Sequence, residues 1–248
     1  MSKIIELKSE EKNIILPEEA DIIVVEKDAA NMPFERIFTL APNMKAQYIL
    51  ILPNLGSIES FSRQWHIGEG ASLDVYYLFL DYTHEVKLSH DLATRAQINS
   101  HSLYLGRNQE QLKVQADYNF NDEASGGRVA VDALLNDQAK LRYGADINVM
   151  KKAQRSDTRV DMRLRLMGKD SRGQLVPGLN IAANDVKAGH SASTFQLSAE
   201  DMFYLRSRGL SPDEIQKLFA LSMANKFVSD LSDDDLKKEL LNIISSRL

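Results

Sequence analysis

The chain of 248 residues contains no cysteine. Disulfides, thiolate catalysis and cysteine-ligated metal centres are therefore excluded within this chain. A function that needs a thiolate would have to obtain it from a second protein.

Long apolar runs are also missing. No segment approaches the ~18 apolar residues that span a bilayer, and the first residues, MSKIIELKSEEKN, lack the apolar region of a signal peptide. The formal net charge is −5, with acidic and basic residues interspersed, whereas nucleic-acid-binding surfaces need clustered lysine and arginine. The sequence predicts a cytoplasmic protein that binds neither nucleic acid nor membrane.

Motifs for common enzyme classes are absent. Neither a phosphate-binding G-x-x-x-x-G-K-[ST] loop nor a G-x-S-x-G nucleophile motif occurs, so an ATPase or a serine hydrolase is not predicted. Four histidines show no recognised metal-ligand spacing, and most of them are interpreted as solvent-facing strand residues: His66, His84, His90 and His101.

Turn signals are scarce over most of the chain. No proline lies between Pro53 and Pro177, and neither Asn-Gly nor Asp-Gly occurs. Apolar residues alternate with polar ones from about 46 to 167, which predicts half-buried strands. This alternation fits a β-sandwich and a solenoid of stacked strands equally. The arginines around Asp161 (Arg159, Arg163 and Arg165) predict a solvated or salt-bridged sheet face.

The last fifty residues change to helical periodicity. Three helix starts are predicted, at Ser198 with Asp201, at Ser211-Pro212 with Glu214, and at Ser232 with Asp235. Gly209 is predicted to end the first of these helices. The chain is divided accordingly into short N-terminal strands and turns (1–45), a β core (46–197) and a helical subdomain (198–248).

The segment 175–210 resembles the C-terminal signature of the SufB/SufD family, which assembles iron–sulfur clusters. The resemblance extends weakly upstream and covers about the last two-thirds of the chain. The matching elements are Pro177, Leu179, Ile181, Asp185-Val186-Lys187, His190, Ala192, Leu197, Phe203-Tyr204-Leu205 and Ser207-Arg208-Gly209-Leu210.

The resemblance implies a mainly β protein, a right-handed β-helix body with a small C-terminal helical subdomain. It also implies a non-catalytic, SufD-like scaffold subunit. Such a subunit would pair with a SufB-like subunit and dock a SufC-type ATPase, related to ABC-transporter ATPases, through its C-terminal helices. The implied docking residues are Met202, Phe203, Tyr204, Leu205, Arg208, Ile215, Leu218 and Phe219.

His190 and Asp185 are the candidates for the metal or cluster interface. The family often has Cys or Ser followed by His-Gly here, whereas this chain has Ala188-Gly189-His190-Ser191. His190 could instead bond a backbone carbonyl, and Asp185 could cap a turn. No cofactor is expected to stay on this chain alone, and an iron–sulfur cluster would sit transiently at the partner interface. The missing thiols favour a heterodimer over a homodimeric scaffold of a reduced system.

Two further interpretations stay open. A carbohydrate-active β-solenoid enzyme would need a carboxylate pair, although a single tryptophan, Trp65, gives little aromatic platform for sugars. Its candidate carboxylates are Asp117, Asp122, Glu123 and Asp132. The other interpretation is an interaction module without a link to clusters, which co-purified partners would reveal.

Overall fold

The computed structural model describes residues 3–7, 11–17, 22–27, 33–52, 60–80 and 83–248. Fifteen strands in this part of the chain form two sheets, in which every pairing is parallel. Successive strands alternate between the sheets, so each coil contributes one strand to each. This is a parallel β-solenoid, and of the two architectures that the alternation allowed, the sandwich is wrong.

The odd-numbered strands form an eight-stranded sheet, here called the odd sheet. Its strands are β1 (Lys3–Glu6), β3 (Ile22–Glu26), β5 (Lys45–Leu52), β7 (Ser72–Phe79), β9 (Gln97–Gly106), β11 (Gly126–Leu135), β13 (Asp157–Leu166) and β15 (Lys187–Gln196).

The even-numbered strands form a seven-stranded sheet, the even sheet. Its strands are β2 (Asn13–Ile15), β4 (Glu35–Leu40), β6 (Ser60–Ile67), β8 (Thr83–Leu92), β10 (Gln111–Phe120), β12 (Lys140–Val149) and β14 (Arg172–Ile181).

The corners between the sheets explain why turn signals are scarce. At the five even-to-odd corners between β4 and β13 the chain turns through one residue of positive φ, and at three of them this residue is Arg95, Ala124 or Arg155. Backbone bonds between coils hold these corners; for example, the Ala124 N–H donates to the Gln154 carbonyl at 2.8 Å. Since left-handed backbone usually selects glycine or asparagine, these corners carry no sequence signature.

The interior of the solenoid is filled by the core-facing half of each alternating strand. In β13 these residues are Val160, Met162 and Leu164, all 1% exposed or less. The outward residues Arg159 and Asp161 form an ion pair at 2.8 Å, as the predicted salt-bridged face requires.

Three helices follow the last strand: α1 (Ala199–Ser207), α2 (Pro212–Phe227) and α3 (Asp234–Ser246). The predicted capping boxes at Ser198 and Ser211 are confirmed, and Gly209 follows α1 with φ 90°. The predicted cap of α3 is wrong by one residue, because Asp233 accepts the hydrogen bond from the Leu236 N–H.

Ser232 has a different contact, since its hydroxyl donates to the Gln47 side chain on β5 at 2.7 Å. This bond ties the start of α3 to the odd sheet. None of the helices in the described part of the chain has the length and hydropathy to cross a membrane.

Helices α2 and α3 cover part of the outer face of the odd sheet. A second apolar core joins the helix residues Phe227, Leu240 and Ile244 to outward residues of the early odd strands, such as Ile23 and Ile49. Strand β3 is therefore buried on both faces, and the early strands β1 to β4 continue the same two sheets across the proposed division at residue 45.

Candidate functional site: the last coil and the helical patch

Both sheets end at the last coil, in strands β14 and β15. Each has one neighbour, β12 and β13 respectively, and an edge on which no other described strand lies. At the opposite end of the solenoid the edge strands are short, with four residues in β1 and three in β2. The last coil instead presents two strands of ten residues.

Strand β15 has few of the features that normally protect an edge. Proteins guard free strand edges with short strands, charges, proline or a covering element. Strand β15 has no proline, its one charged residue is Lys187, and most of its residues are exposed. The edge of β15 is therefore a template for pairing with another strand.

His190 lies in the first half of β15, opposite Val160 of β13. Because Val160 faces the core, the period of two places His190 in the same core-facing column, at the end where that column opens to solvent. The His190 side chain is exposed, and within the described part of the chain its ring has no hydrogen-bond partner. Imidazole is in general a metal ligand and a proton carrier near neutral pH.

Asp185 lies in the turn that leads into β15. Its N–H donates to the Gln154 side chain at 2.9 Å, and its carbonyl accepts from the Arg155 N–H at 2.5 Å. Its carboxylate is exposed. Among the described residues no three His, Asp or Glu side chains are arranged to hold a metal ion, so the structure does not unite Asp185 and His190 in such a set.

The outward neighbour of His190 is held in place. The Ser191 hydroxyl donates to Asp161 on β13 at 2.6 Å. The Arg159 hydrogen bond, with that of Ser191, lowers the pKa of the Asp161 carboxyl. The charged Asp161 therefore anchors β15 one residue after the histidine.

The implied docking residues fall into three groups. Phe203, Tyr204 and Leu218 expose 76%, 56% and 54% of their surface. Arg208 is also exposed, and its guanidinium lies 5.3 Å from the centre of the Tyr204 ring. The intermediate group is Met202, Leu205 and Phe219.

Ile215 is different, since it is 1% exposed. It cannot meet a partner unless α2 moves. Phe195 of the edge strand, which the sequence pattern did not single out, is 43% exposed and lies 6.1 Å from Phe219, centre to centre. We call Phe195, Phe203, Tyr204, Leu218 and Phe219 the helical patch; it combines apolar side chains of α1 and α2 with Phe195 of β15, which lies against Phe219.

The interpretation that most of the other four histidines face solvent is wrong for His90, and His101 is half-buried. His90 is fully buried, and His101 stacks on Tyr76 with 4.9 Å between ring centres. Burial lowers the pKa of both imidazoles, that of His90 to about 4. The side chain of His84 lies outside the described residues, whereas His66 is exposed beside Asp91.

The surroundings of His90 fix its tautomer. Nδ1 lies 3.2 Å from the Asp117 carbonyl, which can only accept, and Nε2 lies 2.8 Å from the Tyr77 hydroxyl. Nδ1 therefore carries the proton, and Tyr77 donates to Nε2. The sequence carried a signal for this placement, because His90 alternates in phase with the buried Leu88 and Leu92.

A buried ionic cluster near the start of the solenoid was also not predicted from the sequence. The Glu26 carboxylate accepts from Arg36, Arg63 and the Tyr48 hydroxyl, and the Arg63 Nε lies 2.8 Å from it. Glu26 is fully buried and the two arginines are nearly so. Because none of these four side chains is more than 2% exposed, the cluster is a structural feature of the core.

The carboxylates considered for glycoside hydrolysis are engaged elsewhere. Asp132 contacts Arg163 and Arg165, at 2.7 and 3.3 Å. Asp122 and Glu123 pair with Lys152 and Arg155. Trp65 is buried against Phe38 and offers no surface to a sugar. The fourth candidate, Asp117, accepts from the Gln115 side chain at 3.3 Å, and burial raises the pKa of its carboxyl.

Comparisons with known proteins agree with the signature near His190. The family model described as SUF system FeS cluster assembly, SufBD core domain, matches residues 58–223. The iron–sulfur cluster assembly protein SufD of Escherichia coli (strain K12) is 32% identical over 115 residues, which cover 46% of this chain and 27% of that protein.

Other relatives show the same partial coverage. SufD of Bacillus subtilis (strain 168) is 25% identical over 126 residues, 51% of this chain and 29% of that protein. SufB of the same organism is 24% identical over 92 residues, 37% of this chain and 20% of that protein. The matches span less than a third of the length of these relatives. Since the family model covers well over half of the chain, this protein belongs to the SufBD core domain family of the SUF system.

Proposed function

We propose that this chain is a SufD-like scaffold subunit in iron–sulfur cluster assembly. It pairs through the last coil with a SufB-like subunit and binds a SufC-type ATPase through the helical patch. The observation that carries the proposal is the pair of ten-residue strands with free edges, β14 and β15, beside His190 and the exposed side chains of α1 and α2.

Edge pairing would satisfy the free backbone groups of the last coil. Each hydrogen bond formed this way contributes about 0.5–1.5 kcal/mol net, and the exposed Phe195 and Ile181 side chains would add apolar burial. A partner strand would also cover the core-facing column that contains His190.

The helical patch supports the second contact. Its aromatic and aliphatic groups, with Arg208 stacked on Tyr204, have the composition typical of energetically important interface residues. The opposite sides of α2 and α3 are packed on the odd sheet, so a force on the patch would be passed to the solenoid. Closure of two ATPases on ATP binding would then shift the two scaffold subunits relative to each other.

The cluster itself is the cargo of this proposed complex. Since the chain has no cysteine, thiolate ligands would come from the SufB-like subunit, and His190 would add a ligand or a proton carrier at the shared interface. The subunit works by positioning and by transmitting movement, without a reaction of its own.

Co-expression with the neighbouring genes and affinity purification test the proposal. A SufB-like protein and an ATPase should co-purify with the chain. Phe203→Ser with Leu218→Ser should remove the ATPase and keep the SufB-like protein, whereas Ala192→Lys on the free edge of β15 should remove the SufB-like protein. Met150→Ser, at an exposed apolar residue away from the helical patch, is the control and should keep both.

Several outcomes would contradict this function. One is an unrelated client in place of an ATPase, which would favour an interaction module. Another is a stable cluster absorbance on the chain alone after incubation with iron and sulfide. A third is a particle that contains two copies of this chain and no SufB-like protein, which would favour a homodimeric scaffold over the heterodimer.

A further inference from the structure

A groove of about 540 Å³ crosses the outer face of the even sheet, where strands β10, β12 and β14 begin. Two rows of outward side chains flank it, and Leu112 and Leu141 between the rows are buried in the core. By strand register, the first row contains Gln111, Lys140 and Arg172, and the second contains Glu85, Lys113, Arg142 and Gln174.

The groove is basic although the chain is acidic. Among the described residues that line it, Lys113, Lys140, Arg142 and Arg172 face a single carboxylate, Glu85, while the formal charge of the whole chain is −5. This local reversal of sign is specific to the first residues of the strands, because Asp117 and Asp146 occupy the same sheet face further along β10 and β12.

Most of these cations have no carboxylate partner among the described residues. Lys113 pairs with Glu85 at 3.1 Å, but Arg142 donates to the neutral Gln174 side chain and Arg172 to two backbone carbonyls. Lys140 has no ion pair in the described part of the chain.

The strand register places like charges side by side, which lowers the stability of the unbound protein. Lys140 lies directly beside Arg172, and Lys113 directly beside Arg142, on neighbouring strands. Like charges in directly paired positions are destabilising. A bound anion would screen that repulsion. The binding free energy should therefore be more favourable in this groove than at four cations that lie far apart on the surface.

We propose that this basic groove binds an acidic, extended segment of a partner protein. Three rungs at ~4.8 Å give the groove a length of about 10 Å, which suits three or four extended residues, and glutamates on one side of an extended segment are ~6.8 Å apart. Among the described residues that line the groove no side chain is aromatic, whereas proteins that bind single-stranded nucleic acid stack bases on aromatic rings. The peptide is therefore the occupant that the lining fits.

Fluorescence anisotropy with labelled hexaglutamate at low ionic strength tests the proposal. Lys140→Gln with Arg142→Gln should weaken binding about tenfold, the combined effect of two exposed ion pairs. Lys151→Gln with Lys152→Gln changes the net charge equally in the turn after β12, about 30 Å along the strand from Arg142. This control should bind like the unchanged chain, and hexaglutamine should not bind.

Four results would overturn the proposal. They are no binding of hexaglutamate, equal weakening in both double variants, equal binding of hexaglutamine, and tighter binding of oligothymidylate of the same charge. The groove variant should still co-purify with the ATPase and the SufB-like subunit, so a failure here is distinct from a failure of the proposed function.

Discussion

The outer faces of the two sheets differ although their strands share one architecture. On the odd sheet, outward residues of the early strands, such as Ile23 and Ile49, are buried under α2 and α3. On the even sheet, the outward positions of β10 and β12 are charged or polar, and each is exposed or partly buried except Gly144. A strand that is apolar on both faces thus indicates a covering element, and a strand that alternates indicates solvent on one side.

The even sheet stabilises its wet face with a ladder of polar side chains. Asn119 donates to Asp91, Asn148 to Asn119, and Asn180 to Asn148, each at 2.8 or 2.9 Å. The ladder ends on the edge strand β14, at Asn180. The outer face of the odd sheet is stabilised instead by apolar contacts with the helices. These contacts depend less strictly on strand register than a ladder of hydrogen bonds does.

The largest test of this difference is truncation under the helical cover. Leu240 of α3 is fully buried between α3 and the odd sheet, so Leu240→Ala should lower the free energy of unfolding by about 2–5 kcal/mol. Leu218→Ala removes the same atoms from a side chain that is 54% exposed and should cost much less. Urea denaturation followed by circular dichroism gives both values; equal losses would mean that the helices are not held by this core.

A second test compares the buried His90 with the half-buried His101 through the pH dependence of stability. The folded-state pKa of His90 is about 4, below its ordinary value of 6.5, because burial disfavours the charged ring. The unfolded chain therefore takes up a proton first, and stability present above pH 6.5 should be lost as the pH falls towards 4. The expected loss is on the order of 3 kcal/mol.

His101, under the helical cover, has acidic neighbours that oppose the lowering of its pKa, namely Asp230, Asp74 and Asp132. His90→Gln should accordingly flatten the acid limb of stability more than His101→Gln does. Denaturation midpoints of each variant between pH 4 and 7 measure the two slopes. The reverse order would show that the covered face, and not the solenoid interior, controls acid sensitivity.

The smallest test concerns single hydroxyl groups. Tyr118 bonds Ser100 at 2.7 Å inside the solenoid, and Tyr118→Phe should cost about 0.5–1.5 kcal/mol. The Tyr76 hydroxyl lies on the covered face and has no hydrogen-bond partner among the described residues, so Tyr76→Phe should be neutral or slightly stabilising. Thermal unfolding resolves the pair, and a larger loss in Tyr76→Phe would contradict the contrast.

Much of the fold could be predicted because it follows from local patterns. Alternation predicted the strands, and the capping boxes at Ser198 and Ser211 predicted two helix starts, since a cap satisfies backbone groups within four residues. The corners at Arg95, Ala124 and Arg155 could not be predicted. Their left-handed backbone is stabilised by hydrogen bonds to neighbouring coils and not by a glycine or asparagine in the turn. The cap of α3 was misplaced because Ser232 finds a partner on a distant strand.

Some properties of the candidate site could likewise be predicted from the sequence, and others could not. The sequence by itself determined the family signature around His190, the absence of thiolate ligands and the amphipathic helices, since these depend on residue identity and near neighbours. Only the tertiary structure decided that Ile215 is inaccessible while Phe203 is exposed, and that four cations share one groove. Those properties arise where strands about 30 residues apart in sequence come to lie ~4.8 Å apart, a distance that no local pattern encodes.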